Sequence, residues 1–166
     1  MNGINYNNQI SIALFEPRIP QNTGNIARTC AAFNLRLHLI EPLGFSLESK
    51  LLKRSGLDYW PYMDIRIHPN FYQFHDSLSL NQRIIGLSKS ASTHLSEFKF
   101  NINDVLLFGR EDNGLPNDII NLCNKTLSIP MPGGVIKNHD KGVRSLNLSS
   151  SVAIASYQAG VRVGLF

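Results

Sequence analysis

Residues 105–116 have the sequence VLLFGREDNGLP, which is the most informative segment of the chain for its fold class. Its first four residues form an apolar run bounded by polar residues, which predicts a short buried strand. The residues that follow are rich in glycine and charge and end in proline, which indicates a loop. Open α/β sheets bind ligands at the carboxyl ends of their strands. The stretch therefore predicts a strand followed by a loop that belongs to a binding site.

Similar apolar runs recur on both sides of this stretch. Ile10–Phe15 predicts a strand, and Leu35, Leu37 and Leu39 alternate in a second one. The remaining predicted strands are Ile65–Ile67, Ile84–Leu87 and Leu127–Ile129. The intervening segments are long enough for crossover helices, so the pattern favours an α/β fold with a mostly parallel sheet flanked by helices.

Two helices can be placed from the pattern. Pro20–Gly24 predicts a turn, after which a helix begins near Asn25 and ends at Asn34, a residue that tolerates the left-handed conformation. The second helix runs from Asn147 to Val163 and has small apolar residues along one face.

Composition limits the class of protein. The 166 residues are 43% hydrophobic, and we expect one domain, residues 10–166, after a flexible polar tail, residues 1–9. A net charge of +4 suits an anionic partner such as RNA. Cys30 and Cys123 have no metal-binding spacing, so we expect no metal and a reducing compartment. Without a signal peptide or an apolar run of about 18 residues, we expect a cytoplasmic protein with no membrane partner.

Three loops are rich in glycine, asparagine, proline and small polar residues. They are residues 16–28, residues 108–116, and residues 129–131 continuing to 144–149. In order, they resemble the three motifs of the SPOUT superfamily of methyltransferases, PxNxGNxxR, FGxExxGLP and IPM…RSLNLS. Residues 37–45, LHLIEPLGF, and 54–59, RSGLDY, are similar to the subgroup that methylates the ribose of the tRNA wobble nucleotide. The resemblance runs from about Ile12 to the end of the last helix.

The resemblance implies a fold and an activity. The family has a deep trefoil knot in its carboxyl-terminal half, binds S-adenosylmethionine in a bent form, and completes its active site across a homodimer. The implied reaction is methylation of the ribose 2′-hydroxyl of the wobble nucleotide, a cytidine or modified uridine in the tRNA anticodon stem-loop. Other nucleotide-binding classes are disfavoured, since the chain has neither GxGxxG after a strand nor GxxxxGK[ST].

The resemblance also implies a cofactor pocket lined by Leu87, Gly109, Ile129 and Ser145. Gly109 and Gly114 flank Glu111, and glycine permits close approach to a ligand or a positive φ. The alternatives are a plain strand-to-helix turn for the glycines and packing in the core for Leu87 and Ile129.

Arg28, Tyr157 and Glu111 are the candidate catalytic residues. Arg28 would orient an RNA phosphate and stabilise charge rather than act as a base, because guanidinium stays protonated. The proton of the 2′-hydroxyl would pass to Tyr157, a phosphate oxygen or water. The alternatives are a solvated helix arginine, a tyrosine buried for packing, and a carboxylate that interacts with a helix dipole.

Three asparagines are candidate substrate-positioning residues. Asn22 and Asn25 would bind the ribose or brace the first loop against the third, and Asn147 and Ser149 would anchor the knot at the start of the last helix. Helix capping is the alternative interpretation, since asparagine and serine are preferred at helix starts for local reasons.

Two further segments carry charge. Lys50, Lys53 and Arg54 precede Tyr59-Trp60, which suggests a surface for the anticodon stem, or an exposed helix face followed by core aromatics. The loop at residues 132–143 is longer than in the wobble-methylating relatives, and we expect a flap over the cofactor or an extra RNA contact.

Two other functions stay open from the sequence. One is ribose methylation elsewhere in tRNA or in ribosomal RNA, which the absence of a separate RNA-binding domain disfavours. The other is a catalytically silent RNA-binding module, which the retention of the candidate site residues disfavours.

Overall fold

A computed structural model of the protein describes residues 9–48, 60, 63–134, 143 and 145–166. Within these residues the strands are β1 (Ser11–Phe15), β2 (Arg36–Ile40), β3 (Ile65–His68), β4 (Ile84–Leu87), β5 (Val105–Phe108) and β6 (Lys125–Leu127). The helices are α1 (Pro20–Phe33), α2 (Phe71–Asp76), α3 (Asn117–Leu122) and α4 (Leu148–Val163), with short 3-10 turns at Leu95–Glu97 and Pro132–Gly134.

The strands described form one sheet in the order β3-β2-β1-β5-β4-β6, and every neighbouring pair is parallel. This confirms the predicted α/β fold with a mostly parallel sheet. The chain moves outward from β1 in one direction through β2 and β3, and β5 lies on the other side of β1. Leu14 of β1 is paired with Phe108 of β5, so the loops that leave these two strands are neighbours. Such a reversal of strand order is where open α/β sheets form a binding crevice.

The central strand β1 is buried on both faces of the sheet. Ile12 and Leu14 pack into one hydrophobic cluster, and Ala13 and Phe15 pack into a second cluster on the opposite face. Successive side chains of a strand point to opposite faces, which explains this division. Helices α1 and α4 pack together over the first face. Layers on both faces hold the strand ends, and the loops that follow them, in fixed positions.

Helix α1 begins earlier than the sequence predicts. The predicted turn at Pro20–Gly24 is the first part of the helix, which starts at Pro20 rather than near Asn25. Proline suits this position because its fixed φ is helical and its missing N–H would have no partner in the first turn. The predicted end of the helix is confirmed, since Asn34 has φ 54° and ψ 47°.

Two other boundaries can be compared with the sequence prediction. The last strand is Lys125–Leu127 rather than Leu127–Ile129, because the ladder with β4 ends at Leu127 and Ser128 instead bridges His94. Helix α4 begins at Leu148, one residue after its N-cap Asn147, and ends before Gly164 at φ 74°.

The loop after β4 forms backbone hydrogen bonds with the residues at the end of β6. Ser88 N–H donates to Leu127 O at 2.9 Å, Ser128 N–H donates to Thr93 O at 2.9 Å, and Leu95 N–H donates to Ser128 O at 2.8 Å. The carboxyl-terminal chain therefore leaves the sheet beside this loop. The trefoil knot itself stays a prediction.

Several predicted features fall outside the described residues. They are most of the polar tail, the basic residues Lys50, Lys53 and Arg54, and most of the 132–143 loop. Trp60 is described, and it packs against the hydrophobic core, as the core interpretation of that aromatic expected. In the part of the chain that is described, no helix has both the length and the apolar character needed to cross a membrane.

Candidate active site

A cavity of about 610 Å³ lies at the carboxyl ends of β4, β5 and β6. Its walls come from the loops after these strands, from the start of α1 and from the start of α4. Strand ends and loops supply the apolar lining, which includes Leu87, Leu115, Leu127, Ile129 and Met131. The three loops singled out in the sequence thus meet around one space.

The loop after β5 closes on itself through glycine. Arg110 N–H donates to Gly114 O at 3.1 Å, and Gly114 N–H donates to Arg110 O at 2.9 Å. Gly114 has φ +69°, a conformation that other residues seldom adopt. A Cβ on Gly109 would lie 2.1 Å from the carbonyl carbon of Gly114 and 2.2 Å from Leu115 N. Gly109 is therefore required by the returning backbone of its own loop.

Glu111 binds the start of α1 with both carboxylate oxygens. Oε2 accepts from Arg18 N–H at 2.8 Å, and Oε1 accepts from Ile19 N–H at 3.1 Å and from Asn22 Nδ2 at 3.2 Å. A carboxylate is favoured at a helix amino terminus, where backbone N–H groups lack partners. Glu111 holds the first loop against the second.

Asn22 and Asn147 extend this connection to the third loop. Asn147 Nδ2 donates to Asn22 Oδ1 at 3.0 Å, while Asn147 Oδ1 accepts from Ser149 N–H at 2.8 Å at the start of α4. Asn22 is buried, and both ends of its side-chain amide are used, since Nδ2 donates to Glu111 and Oδ1 accepts from Asn147. A continuous set of hydrogen bonds, Glu111–Asn22–Asn147, joins all three loops.

A charged cluster lies beside these bonds. Arg110 pairs with Asp112 at 2.9 Å and lies 3.6 Å from Glu16, which also pairs with Arg18 at 3.2 Å. The hydrogen bond from Arg110 lowers the pKa of Asp112 to about 2. Glu16 has φ 46°, which is uncommon for a residue other than glycine, and residues held in such conformations cluster at functional sites.

Comparison with known proteins identifies the family. Residues 9–157 match the sequence model described as the SpoU rRNA Methylase family. The chain belongs to the SpoU methylase family. A relative from Methylovorus glucosotrophus named tRNA (cytidine(34)-2′-O)-methyltransferase is 42% identical, over 89% of this chain and 92% of that protein. The resemblance stated from the three motifs is therefore confirmed.

Two solved structures support the same assignment of fold. One, described as giving insights into the 2-OH methylation of C/U34 on tRNA, has a TM-score of 0.85 and 44% identity, with 93% of this chain and 96% of that chain covered. The other is the SpoU methyltransferase AviRb from Streptomyces viridochromogenes in complex with AdoMet. It has a TM-score of 0.77 and 22% identity and covers 92% of this chain and 59% of that chain, so it is similar in fold alone.

Seven of the ten predicted site residues line the cavity of this SpoU methylase. They are the predicted cofactor residues Leu87, Gly109, Ile129 and Ser145, together with Asn22, Glu111 and Asn147. The structure thus places them around a single space, which their positions in the sequence did not require.

The other three residues lie away from the cavity lining. Asn25 and Arg28 are exposed on α1. Tyr157 is 58% exposed on α4, where its ring packs against Phe33 and stacks on Phe166. Within the protomer, Tyr157 therefore belongs to an aromatic cluster rather than to the cavity.

Sequence reasoning missed some residues of the lining. Lys89 and the serines beside it follow β4 directly, and Asn117 opens α3. A systematic search of residues just after each strand would have found Lys89. Among the described residues, no group of His, Cys, Asp or Glu is arranged to hold a metal ion.

Proposed function

We propose that this SpoU methylase transfers a methyl group from S-adenosylmethionine to the ribose 2′-hydroxyl of nucleotide 34 of tRNA, a cytidine or modified uridine, in the cytoplasm. The observation that carries the proposal is the meeting of the three loops around one cavity through Glu111, Asn22 and Asn147. The relative from Methylovorus and the C/U34 structure, each similar over about nine-tenths of this chain, support the choice of nucleotide.

The cavity suits the proposed methyl donor. Its volume, about 610 Å³, is within the range of pockets that hold small cofactors. Apolar side chains of Leu87 and Ile129 would pack on the adenine, and the backbone at these strand ends and at Gly109 would hydrogen-bond its edge. Ser145 would contribute a polar contact from the third loop. When bound, the donor supplies a methyl carbon activated by a positive sulfonium.

Positioning of the ribose hydroxyl is the main catalytic contribution of the chain in this proposal. The ribose oxygen forms a bond to the methyl carbon as the carbon–sulfur bond breaks, and the hydroxyl proton leaves to Tyr157, a phosphate oxygen or water. Arg28 would orient an RNA phosphate. Glu111 is best assigned a positioning role, because its carboxylate accepts three hydrogen bonds from the first loop. Asn25, exposed on the same helix as Arg28, would contact RNA.

We place Arg28 and Tyr157 at an active site completed in a homodimer. Helix α4 supports this, because Ile154, Tyr157 and Val161 are exposed apolar residues on one face of the helix. The exposed ring of Phe166 enlarges the same surface by stacking on Tyr157. Exposed apolar patches of this kind often mark protein interfaces.

The test is transfer of labelled methyl from S-adenosylmethionine to tRNA without modifications, followed by nucleoside mapping. We expect label in the 2′-O-methylated nucleotide 34, and no label in a matched tRNA carrying a 2′-deoxynucleotide at that position. Label at another tRNA position or in ribosomal RNA would refute the assignment of nucleotide 34 as the substrate, while the assignment as an RNA methyltransferase would stand. No label in any RNA would favour the silent module.

A further inference from the structure

Most charges that line the cavity are already paired. The charged residues of the described lining are Lys89, Arg110, Glu111 and Asp112. Arg110 and Asp112 pair with each other, and Glu111 accepts three hydrogen bonds from the first loop. Lys89 has no hydrogen bond or ion pair with any residue that the structure describes. Its ammonium group is exposed and is therefore free to pair with an anionic group of a ligand in the cavity.

The backbone around Lys89 is firmly placed. Lys89 occupies the second position of a turn in which Ala91 N–H donates to Ser88 O at 3.1 Å. The hydroxyls of Ser88 and Ser90, on either side, lie 3.0 Å apart. The loop that carries this turn is tied to Leu127 and Ser128 by backbone hydrogen bonds. The ammonium group therefore extends from a fixed rim, two residues after Leu87.

We propose that Lys89 recognises the α-carboxylate of the methyl donor. This rests on the proposed function, which puts S-adenosylmethionine in the cavity. The carboxylate is the one anionic group of that molecule, whereas its adenine and ribose are neutral and its α-ammonium and sulfonium are positive. A lysine ammonium attracts the first group and repels the last. Lys89 thus sets the direction of the methionine chain as well as adding affinity, and it directs the sulfonium away from the rim.

The experiment is calorimetry with two ligands that differ in the proposed contact. S-Adenosylhomocysteine has the carboxylate, and 5′-methylthioadenosine keeps the adenine, ribose and sulfur without the amino-acid chain. Lys89→Met should bind S-adenosylhomocysteine roughly two- to fivefold more weakly, as expected for loss of an exposed ion pair, and methylthioadenosine with unchanged affinity. Lys89→Arg should keep most of the affinity, because it keeps the charge.

A matched control is Lys99→Met, which removes an exposed lysine that does not line the cavity. It should bind both ligands as the unmodified protein does. Raising the salt concentration should reduce the difference between the unmodified protein and Lys89→Met, because screening weakens the same interaction.

The outcomes separate this inference from the proposed function. If Lys89→Met bound both ligands more weakly by the same factor, the inference would be overturned, because Lys89 would then shape the pocket without contacting the carboxylate. Unchanged affinity for both, with weaker binding of tRNA, would overturn it in favour of an RNA phosphate contact. Failure of the unmodified protein to bind either ligand would instead refute the proposed cofactor.

Discussion

Asn147 Nδ2 donates a hydrogen bond to Asn22 Oδ1 at 3.0 Å, across 125 positions of sequence. The other groups of both amides are already in use. Asn22 Nδ2 donates to Glu111, and Asn147 Oδ1 caps α4 by accepting from Ser149 N–H. If either amide rotated by 180°, it would lose its other hydrogen bond as well as the bond between the two asparagines. The first and third loops are therefore held in one relative arrangement.

Asn147 both bonds Asn22 and caps α4, and Asn147→Asp should remove the first interaction while keeping the second. Aspartate caps helices about as well as asparagine, but its carboxylate would face Asn22 Oδ1 with no hydrogen to donate. We expect a loss of about 1 kcal/mol in unfolding free energy, with methyl transfer lowered by tenfold or more through misplacement of the loops. Urea unfolding and initial rates measure the two effects. Asn147→Ala should lose roughly 1 kcal/mol more, because the cap is also removed. Full activity in Asn147→Asp would contradict the role given to the connection.

Glu111→Gln should destabilise the first loop. One amide oxygen would remain to accept hydrogen bonds, while the new NH2 group would face a backbone N–H of Arg18 or Ile19, both donors. Leaving such groups unsatisfied costs about 1–3 kcal/mol, measurable by urea unfolding. Asp112→Asn is the control, because that neighbouring carboxylate is exposed and pairs only within its own loop. A larger effect of the control than of Glu111→Gln would contradict the assignment.

Gly109→Ala should disrupt the loop after β5. The added Cβ would lie 2.1 Å from backbone of Gly114, and backbone cannot move aside as a flexible side chain does. Overpacking of this kind costs about 1–3 kcal/mol or more, and the displaced loop should also weaken cofactor binding. Thermal unfolding and calorimetry follow the two losses. Gly133→Ala is the matched control, since no atom of the described residues lies within 4 Å of its added Cβ. Similar behaviour of the two variants would show that close approach at Gly109 is unimportant.

Stability should fall in mild acid because of a buried histidine pair. His38 is 1% exposed, and its Nδ1 lies 2.9 Å from His68 Nε2. Burial first, and then the charges of His68, Arg36 and Arg66, lower the pKa of His38 to about 3. Burial also lowers the pKa of His68. As the pH falls below about 6.5, these histidines bind protons in the unfolded chain but stay neutral in the folded chain. The contribution of the pair to the free energy of unfolding is therefore full above that pH and is lost progressively toward pH 3.

The test compares urea unfolding at pH 7.5 and pH 5 for the unmodified protein and His38→Gln. We expect the variant to lose less stability on acidification, by about 2 kcal/mol, because one of the two histidines with a lowered pKa is gone. His75→Asn changes an exposed histidine and should keep the full dependence on pH. An identical pH dependence in His38→Gln would show that His38 does not resist protonation.

Ser145 and Arg28 should differ in their effects on the cofactor. Ser145 lines the cavity, so Ser145→Phe should fill part of it and weaken S-adenosylmethionine binding measured by calorimetry. Arg28 lies on the exposed surface of α1, so Arg28→Ala should leave that binding largely intact and lower turnover on tRNA. Equal cofactor affinity in the unmodified protein and Ser145→Phe would refute the pocket assignment.

The local sequence pattern was sufficient to predict much of the secondary structure. Ile84–Leu87 and Val105–Phe108 are strands with the predicted boundaries, because each is an apolar run bounded by polar residues. The start of α1 was predicted wrongly, since Pro20–Gly24 suits a turn as well as a first helical turn. In the structure the helical turn is supported by Glu111, a carboxylate about ninety positions away that accepts hydrogen bonds from the backbone before Pro20.

Periodicity and motifs along the chain were enough to predict the order of strands and helices, the family, and the residue types that a methyltransferase cavity needs. Which of the candidate residues meet is a property of the tertiary structure. It joined Glu111, Asn22 and Asn147, made Lys89 part of the lining, and left Arg28 and Tyr157 away from the cavity. The reason is that packing of the parallel sheet brings together loops far apart in sequence, and no local pattern encodes the distance between two side chains on different loops.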